Sequence, residues 1–153
     1  MTATIHDDPY IYDPHPHAAG VLVYYQSRII LVRQYREPVD ASVYELPAGG
    51  CETGEAPEDG ARRELREETG LICGTLHPLG AVYSDPCVSN HVAHLFFTND
   101  IIDETQPQFD DDEQLTVHRF EPQIILDAIK NGEWKSAELG HALLLAKLNG
   151  FLD

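Results

Sequence analysis

The sequence has little positive charge. Its 153 residues include 10 Lys and Arg against 26 Asp and Glu, which gives a formal net charge of -16 at pH 7. An acidic surface repels the phosphate backbone of nucleic acids and anionic lipid headgroups. The composition therefore argues against a nucleic-acid polymer or a membrane surface as partner. Small phosphate esters stay compatible with it, because a bound divalent cation reverses the local sign of the electric field.

Cysteines and long apolar runs are also scarce. The three cysteines, Cys51, Cys73 and Cys87, form no CxxC pair, and an odd number is not typical of a disulfide framework, so we expect reduced thiols. No segment approaches the roughly 18 uninterrupted apolar residues of a membrane-spanning helix. The N-terminal stretch has no basic region followed by an apolar run, as a secretory signal would. Together these absences predict a cytoplasmic protein.

The remaining pattern predicts one domain with an α/β (α+β) fold. We expect an irregular N-terminal arm at residues 1–17 and a single domain at residues 18–153, because a chain of this size can bury a sufficient core. Clusters of β-branched and aromatic residues predict five strands, at 18–25, 28–33, 75–84, 91–98 and 115–120. A loop at 37–43 leads to a short extended segment at 44–47, and residues 103–113 form an acid-rich loop. Capping signals predict helices at 123–130 and 136–148.

The strongest pattern lies in residues 49–71, GGCETGEAPEDGARRELREETGL. Pro57 suits the first position of a helix, and Gly70 suits the left-handed position that follows a helix. We therefore predict a helix over residues 57–69. At about 100° per residue, three glutamates fall within an arc of about 100° on this helix: Glu64, Glu67 and Glu68.

Three carboxylates on one helix face need positive charge beside them. Carboxylate oxygens are ligands that Mg²⁺ prefers, so a metal ion is one source of that charge. The alternative is a solvated helix face, on which the arginines three or four residues away act as partners. Those arginines are Arg62, Arg63 and Arg66.

The residues around the helix favour the metal ion. Gly49, Glu55, the run 63–65, the pair 67–68 and the pair 70–71 match the spacing of the Nudix box at every specified position. The chain thus resembles the Nudix hydrolases. The resemblance implies an α/β/α sandwich around a mixed β-sheet. It also implies that box glutamates bind divalent ions, which activate water against a nucleoside diphosphate linked to another moiety.

The resemblance assigns roles within and beside the box. The metal ligands would be Glu64, Glu67 and Glu68, holding Mg²⁺ or, in its place, Mn²⁺. The backbone carbonyl of Ala48 is a further candidate ligand. Glu55 and Arg63 would orient the glutamates through a hydrogen bond and an ion pair.

The family often takes one more glutamate, as base or ligand, from a later loop. The acid-rich segment supplies Glu113 as our candidate, so the carboxylates proposed for catalysis are Glu64, Glu68 and Glu113.

Three features outside the box resemble the ADP-ribose pyrophosphatase branch: the run VRQYR at 32–36, the run YELPAG at 44–49, and Pro86 after the box. Arg36 would bind a diphosphate oxygen through its guanidinium, the alternative being an ion pair with Glu45. Tyr35 and Tyr44 would stack on a base, the alternative being packing within the sheet. Arg36, Tyr35 and Pro86 are thus the predicted substrate-binding residues.

The chain departs from this branch in two places. The segment around Pro86 runs SDPCVSNH at 84–91, where the branch usually has Ser-Pro-Gly. The branch also has an N-terminal sheet that helps to form its dimer, and only residues 1–17 stand at that place here. A homodimer is nevertheless what the family resemblance suggests.

Histidine spacing predicts no zinc site. His91 and His94 are three residues apart, which places them on opposite faces of a strand, so they would not bind one ion together. His15 and His17 share a face, but the prolines beside them make a weak site.

The sequence therefore predicts a Mg²⁺-dependent hydrolase that acts on a small nucleotide. The leading hypothesis is hydrolysis of the diphosphate bond of ADP-ribose or a related nucleoside diphosphate sugar, which gives AMP and ribose 5-phosphate from ADP-ribose. One alternative keeps the chemistry and changes the substrate to a nucleoside triphosphate. The other is a Nudix-fold domain that binds a nucleotide without cleaving it.

Overall fold

The computed structural model describes residues 9–109 and 114–153. Nine strands and three α-helices lie in this part of the chain: β1 (His17–Tyr25), β2 (Arg28–Arg36), β3 (Ala41–Glu45), β4 (Ala48–Gly50), α1 (Pro57–Thr69), β5 (Leu71–Cys73), β6 (His77–Tyr83), β7 (Val92–Thr98), β8 (Ile101–Glu104), β9 (Leu115–Phe120), α2 (Pro122–Lys130) and α3 (Ala137–Leu148). A short 3-10 helix, Glu37–Val39, joins β2 to β3.

Seven strands form one mixed sheet with β1 at its centre. Along the main path the order is β3-β2-β1-β7-β6, while β4 pairs with the first part of β1 and β9 pairs with β2. The contact between β1 and β7 is parallel, and the other pairs are antiparallel. A second, two-stranded sheet joins β5 and β8.

Helices cover both faces of the large sheet. Buried side chains of β1 alternate between two clusters, because successive residues of a strand point to opposite faces. Leu22 packs in the cluster that includes Leu139 and Leu143 of α3, while Val21 and Val23 pack in the cluster that includes residues of α1. The predicted α/β/α sandwich around a mixed sheet is thereby confirmed.

The structure corrects several predicted elements. The helix at 57–69 has the predicted bounds, but β3 occupies residues 41–45, where we expected mostly loop. The short strands β4, β5 and β8 were not predicted. Asp103 and Glu104 belong to β8, because this strand pairs with β5 from Ile101 to Glu104, so the acid-rich loop begins later than expected.

The described part of the N-terminal arm runs beside the segment that contains Pro86. The backbone N–H of Ile11 donates to the carbonyl of Val88 at 2.6 Å, and the N–H of Asp13 donates to the side chain of Asn90 at 2.9 Å. Across residues 9–109 and 114–153, no helix has the length and apolar character needed to cross a membrane.

Candidate active site

One face of α1 buries two of the three box glutamates. Ala61 and Leu65 anchor the helix in the core and are fully buried. Beside them, Glu64 is 8% exposed and Glu68 is 3% exposed, while the side chain of Glu67 is 32% exposed. The backbone N–H of Ala48 donates to Oε2 of Glu68 at 2.9 Å. The helix thus holds carboxylates directly against β4.

Gly49 makes this approach sterically feasible. A Cβ atom built at Gly49 would overlap the carboxylate of Glu64. At the next residue, Gly50, an added Cβ would meet nothing within 4 Å. The first glycine of the box is therefore required because the Glu64 carboxylate lies against its backbone.

Arg63 is the centre of the ion pairs in this site. Its Nε donates to Oε1 of Glu55 at 2.9 Å, and its Nη1 reaches Oε1 of Glu64 at 2.5 Å and Oε2 of Glu67 at 3.2 Å. Nη2 also donates to the carbonyl of Gly50 at 2.9 Å. The guanidinium thus ties the helix to the loop that precedes it.

These contacts change the proton affinities of the paired groups. The hydrogen bond from Arg63 lowers the pKa of the Glu55 carboxyl, even though partial burial raises it. Glu55 in turn raises the pKa of Arg63 well above its ordinary value. Both groups are therefore charged at neutral pH.

The acidic cluster fits a cation. A guanidinium, which is a cation, already lies among the carboxylates of Glu55, Glu64 and Glu67. Within the described residues, no group of three or more His, Cys, Asp or Glu side chains could hold a metal ion in its present arrangement. Binding of a divalent ion by the box glutamates would therefore require Arg63 to give up part of its contacts.

A cleft of about 330 Å³ opens beside β4. Its floor includes Ala48 and Gly49, the residues that contact Glu68 and Glu64, and residues 18–20 of β1. Arg36 and Glu45 lie at another part of its wall, together with Ser136 and Glu138 from the start of α3. The cleft thus brings the neighbourhood of the acidic cluster together with a basic side chain.

The predicted substrate-binding residues are placed differently from one another. Arg36 lines the cleft and also pairs with Glu45, at 2.9 Å from Nε and 2.8 Å from Nη2, so both alternatives for this residue are compatible with the structure. Tyr35 is 54% exposed, and its hydroxyl donates to Asp40 at 2.5 Å. Pro86 lies beside the N-terminal arm. Neither Tyr35 nor Pro86 lines the cleft.

The remaining carboxylate proposed for catalysis, Glu113, lies outside the described residues. The roles assigned to Glu64, Glu67, Glu68 and Ala48 stay predictions, as do those of Glu55 and Arg63.

Sequence reasoning missed residues that reach the cleft from distant parts of the chain. Capping signals predicted a helix that begins at Ser136, and the side chain of this residue caps α3 by accepting from the N–H of Leu139. That signal did not indicate that Ser136 also lines the cleft. Ser84 and His91, on either side of the segment after β6, line it as well.

Two histidines from different strands form a pair that local spacing could not indicate. Nδ1 of His17 and Nε2 of His94 lie 3.0 Å apart and share a hydrogen bond. The parallel register of β1 and β7 brings them together. Burial lowers the pKa of His94, and the neighbouring His17 lowers it further.

Fold and site together define a class: an α/β/α domain whose box helix presents acidic side chains beside a small-molecule cleft. The model of the NUDIX domain family matches residues 14–143. The chain therefore belongs to the Nudix family, and it is a Nudix hydrolase.

Several proteins similar to this chain have more specific names than the family. An ADP-ribose pyrophosphatase of Bacillus subtilis is 33% identical over 141 residues, which are 91% of this chain and 76% of the relative. An ADP-sugar pyrophosphatase of Mus musculus is 45% identical over 67 residues, which are 44% of this chain and 31% of the relative. Among solved structures, one described as an ADP compounds hydrolase matches with a TM-score of 0.77 at 23% identity, covering 88% of this chain and 74% of its own. The last likeness concerns the fold alone.

Proposed function

We propose that this Nudix hydrolase cleaves the diphosphate bond of ADP-ribose or a related nucleoside diphosphate sugar, giving a nucleoside monophosphate and a sugar phosphate. The observation that carries the proposal is the cleft beside β4, whose floor is formed by the backbone that contacts Glu64 and Glu68. The named activities of the Bacillus subtilis and Mus musculus relatives support the choice of substrate.

In this proposal the box glutamates Glu64, Glu67 and Glu68 hold Mg²⁺, and Mn²⁺ can replace it. The carbonyl of Ala48, whose N–H already bonds Glu68, is a further ligand. When bound, the ions neutralise the diphosphate and activate water. Carboxylates suit these ions because hard cations prefer oxygen ligands.

The chain's own residues supply orientation and proton transfer. Glu55 and Arg63 hold the acidic cluster in place through the two hydrogen bonds that join them, 2.9 Å each. A carboxylate oxygen of Glu64, Glu68 or Glu113 accepts the proton that the attacking water loses. Arg36, at the wall of the cleft, binds a diphosphate oxygen after leaving Glu45. Tyr35 and Pro86, which lie outside the lining of the cleft, are the other proposed substrate contacts.

The first experiment is product analysis by chromatography. The protein is incubated with Mg²⁺ and, in separate reactions, with ADP-ribose, several nucleoside diphosphate sugars and the nucleoside triphosphates. We expect AMP and ribose 5-phosphate from ADP-ribose, and we expect a chelator to abolish both. Turnover of triphosphates alone would overturn the proposed substrate and keep the chemistry. No turnover of any substrate would favour a domain that binds nucleotides without cleaving them.

We further propose a cytoplasmic location and a homodimer. The location is supported by the three cysteines, Cys51, Cys73 and Cys87, which are all free thiols, as is usual in a reducing compartment.

The homodimer is supported by the resemblance to the ADP-ribose pyrophosphatase branch. Sedimentation of the purified chain would test it, since a single species of about the mass of one chain would contradict it.

A further inference from the structure

A second cavity continues from the cleft. It has a volume of about 680 Å³, and we call it the side cavity. Four residues line both spaces, so the cleft and the side cavity adjoin: Arg36, Glu45, Ser136 and Glu138. Glu64 and Glu68 of α1 contact the backbone of Gly49 and Ala48, and the same backbone lines the cleft. A molecule that binds in the cleft beside this backbone can therefore extend into the side cavity.

Aromatic rings form part of the wall of the side cavity. The ring centroids of Tyr44 and Trp134 are 4.4 Å apart, with an angle of 31° between the ring planes. Phe120 packs behind both rings, at 5.2 Å from Tyr44 and 4.9 Å from Trp134. The guanidinium carbon of Arg33 lies 5.8 Å from the centroid of Tyr44. Such a rigid wall suits a flat ring, since aromatic and guanidinium groups stack on planar ligands.

The charges of the side cavity are balanced. Three basic side chains line it, Arg33, Arg36 and Lys135, and so do three acidic ones: Glu45, Glu133 and Glu138. Arg36 is moreover paired with Glu45. A phosphate group gains little from a lining whose charges cancel, whereas a neutral ring loses nothing there. The balance therefore favours a base over a sugar phosphate.

The separation along the chain is compatible with the length of one nucleotide. Ala48, which bonds Glu68, is four residues from Tyr44, so their Cα atoms are at most about 14 Å apart. That span is of the order of the length of a nucleoside monophosphate.

We propose that the side cavity binds the nucleobase of the substrate, with Trp134, which is supported by Tyr44, as the ring on which the base lies. The proposal rests on the proposed function, because it takes the diphosphate to be held at the box glutamates. Stacking tolerates every base, since each has a planar ring system. The side cavity thus recognises a nucleoside as such, while the other half of the substrate remains in the cleft.

Trp134 is the single tryptophan of the sequence, so its fluorescence reports on the side cavity. The wild-type chain is titrated in the presence of a chelator with AMP, adenosine and ribose 5-phosphate, with excitation at the red edge of the indole band, where adenine does not absorb. We expect a saturable change with AMP and adenosine, and none with ribose 5-phosphate. The proposal would be overturned if AMP left the fluorescence unchanged. It would also be overturned if AMP changed the fluorescence but adenosine did not, or if ribose 5-phosphate changed it as much as AMP.

A variant tests the same site by kinetics. Trp134→Leu should raise the KM for ADP-ribose roughly tenfold or more, the usual effect of losing a stacked base, with little change in kcat. Tyr12→Leu is the matched control, because Tyr12 is an exposed aromatic residue outside the cleft and the side cavity. An unchanged KM in a folded Trp134→Leu protein would contradict the proposal.

The two proposals fail in distinguishable ways. The fluorescence titration is carried out without metal and without turnover. If no substrate is cleaved while adenosine still changes the fluorescence, the proposed function fails and the assignment of the side cavity stands. If ADP-ribose is cleaved while the fluorescence stays unchanged, the assignment fails alone.

Discussion

Gly49 and Glu64 constrain each other at the scale of single residues. The carboxylate of Glu64 occupies the volume in which a side chain at Gly49 would lie. This glycine is therefore needed for space, because its φ is not among the positive values that restrict other residues. Changing the glycine is thus a way to displace a carboxylate without changing its chemistry.

We expect Gly49→Ala to reduce kcat/KM strongly and to destabilise the fold by about 1–3 kcal/mol, because the new methyl group must displace Glu64. The adjacent variant Gly50→Ala is the matched control, since a Cβ there meets nothing within 4 Å. Steady-state kinetics and urea unfolding measure the two effects. Equal results for the two variants would show that the contact with Glu64 is unimportant.

Glu68→Gln should lower kcat by at least about 100-fold while the fold is retained. The amide oxygen of the new side chain can still accept the hydrogen bond from the N–H of Ala48, so the packing against β4 survives. Glu58→Gln makes the same chemical change on an exposed turn of α1 and should leave turnover unaltered. Retained turnover in Glu68→Gln would remove Glu68 from the metal site.

At the scale of elements, the end of α1 depends on a glycine in two ways. Gly70 has a φ of 74° and follows the last residue of the helix. A Cβ there would also overlap the carbonyl oxygen of Thr105, whose N–H donates to the carbonyl of Gly70 at 2.7 Å. The helix therefore ends where the chain beyond β8 packs against it.

Comparison with Gly150 separates the two effects. Gly150 has the same φ of 74°, but a Cβ there meets nothing within 4 Å. We expect Gly150→Ala to cost about 1–2 kcal/mol from backbone strain alone. Gly70→Ala should cost about 2–5 kcal/mol, because the overlap with Thr105 adds to that strain. Urea unfolding measures both effects. Equal decreases in the free energy of unfolding would show that Thr105 moves aside without destabilising the fold.

The pairing of β1 with β7 makes stability depend on pH. His94 has a pKa below its ordinary 6.5 in the folded protein. Below about pH 6.5 the unfolded chain therefore binds a proton at this residue that the folded protein does not, and the free energy of unfolding decreases as the pH falls toward the lowered pKa. We expect His94→Gln to flatten this dependence, measured by urea unfolding from pH 7 to about pH 5. An unchanged slope in a folded His94→Gln protein would contradict this assignment.

Sequence reasoning predicted the helices and strands whose own residues indicate their structure. The bounds of α1 followed from Pro57 and Gly70, and clusters of β-branched and aromatic residues indicated β1 and β2. The strand β4 escaped because its sequence, AGG, has no strand-forming residue and is held only by its pairing with β1. The acidic residues of β8 suggested a loop, since nothing local indicates its pairing with β5.

The same limit applies to the candidate site. The spacing of the box identified its glutamates, Glu55 and Arg63 as candidate site residues, because all of them lie within one segment. The walls contributed by Ser136 and Trp134 come from another part of the chain, and only the packing of α3 on the sheet places them. The pair of His17 and His94 likewise depends on the register of two strands that are distant in sequence.

At the scale of the whole molecule, the net charge of -16 opposes folding through mutual repulsion. NaCl should therefore raise the midpoint of thermal unfolding by screening. MgCl₂ at the same ionic strength should raise it further, by about 5–10 °C at about a hundredfold excess over its dissociation constant, because the proposed function requires the folded chain to bind the ion. The double variant Glu64→Gln with Glu68→Gln should lose this excess and keep the response to NaCl. Equal effects of the two salts on the wild type would contradict a specific cation site.

The walls of the cleft begin at Ala18 and end at Glu138, so they span most of the sequence. During synthesis on the ribosome, the box helix can pack on β1 and β4 well before residues 136–138 have been added. A nascent chain at that stage has its acidic cluster but an incomplete substrate site. The cleft is thus complete only when residues 136–138 have packed beside the strands that carry its other walls.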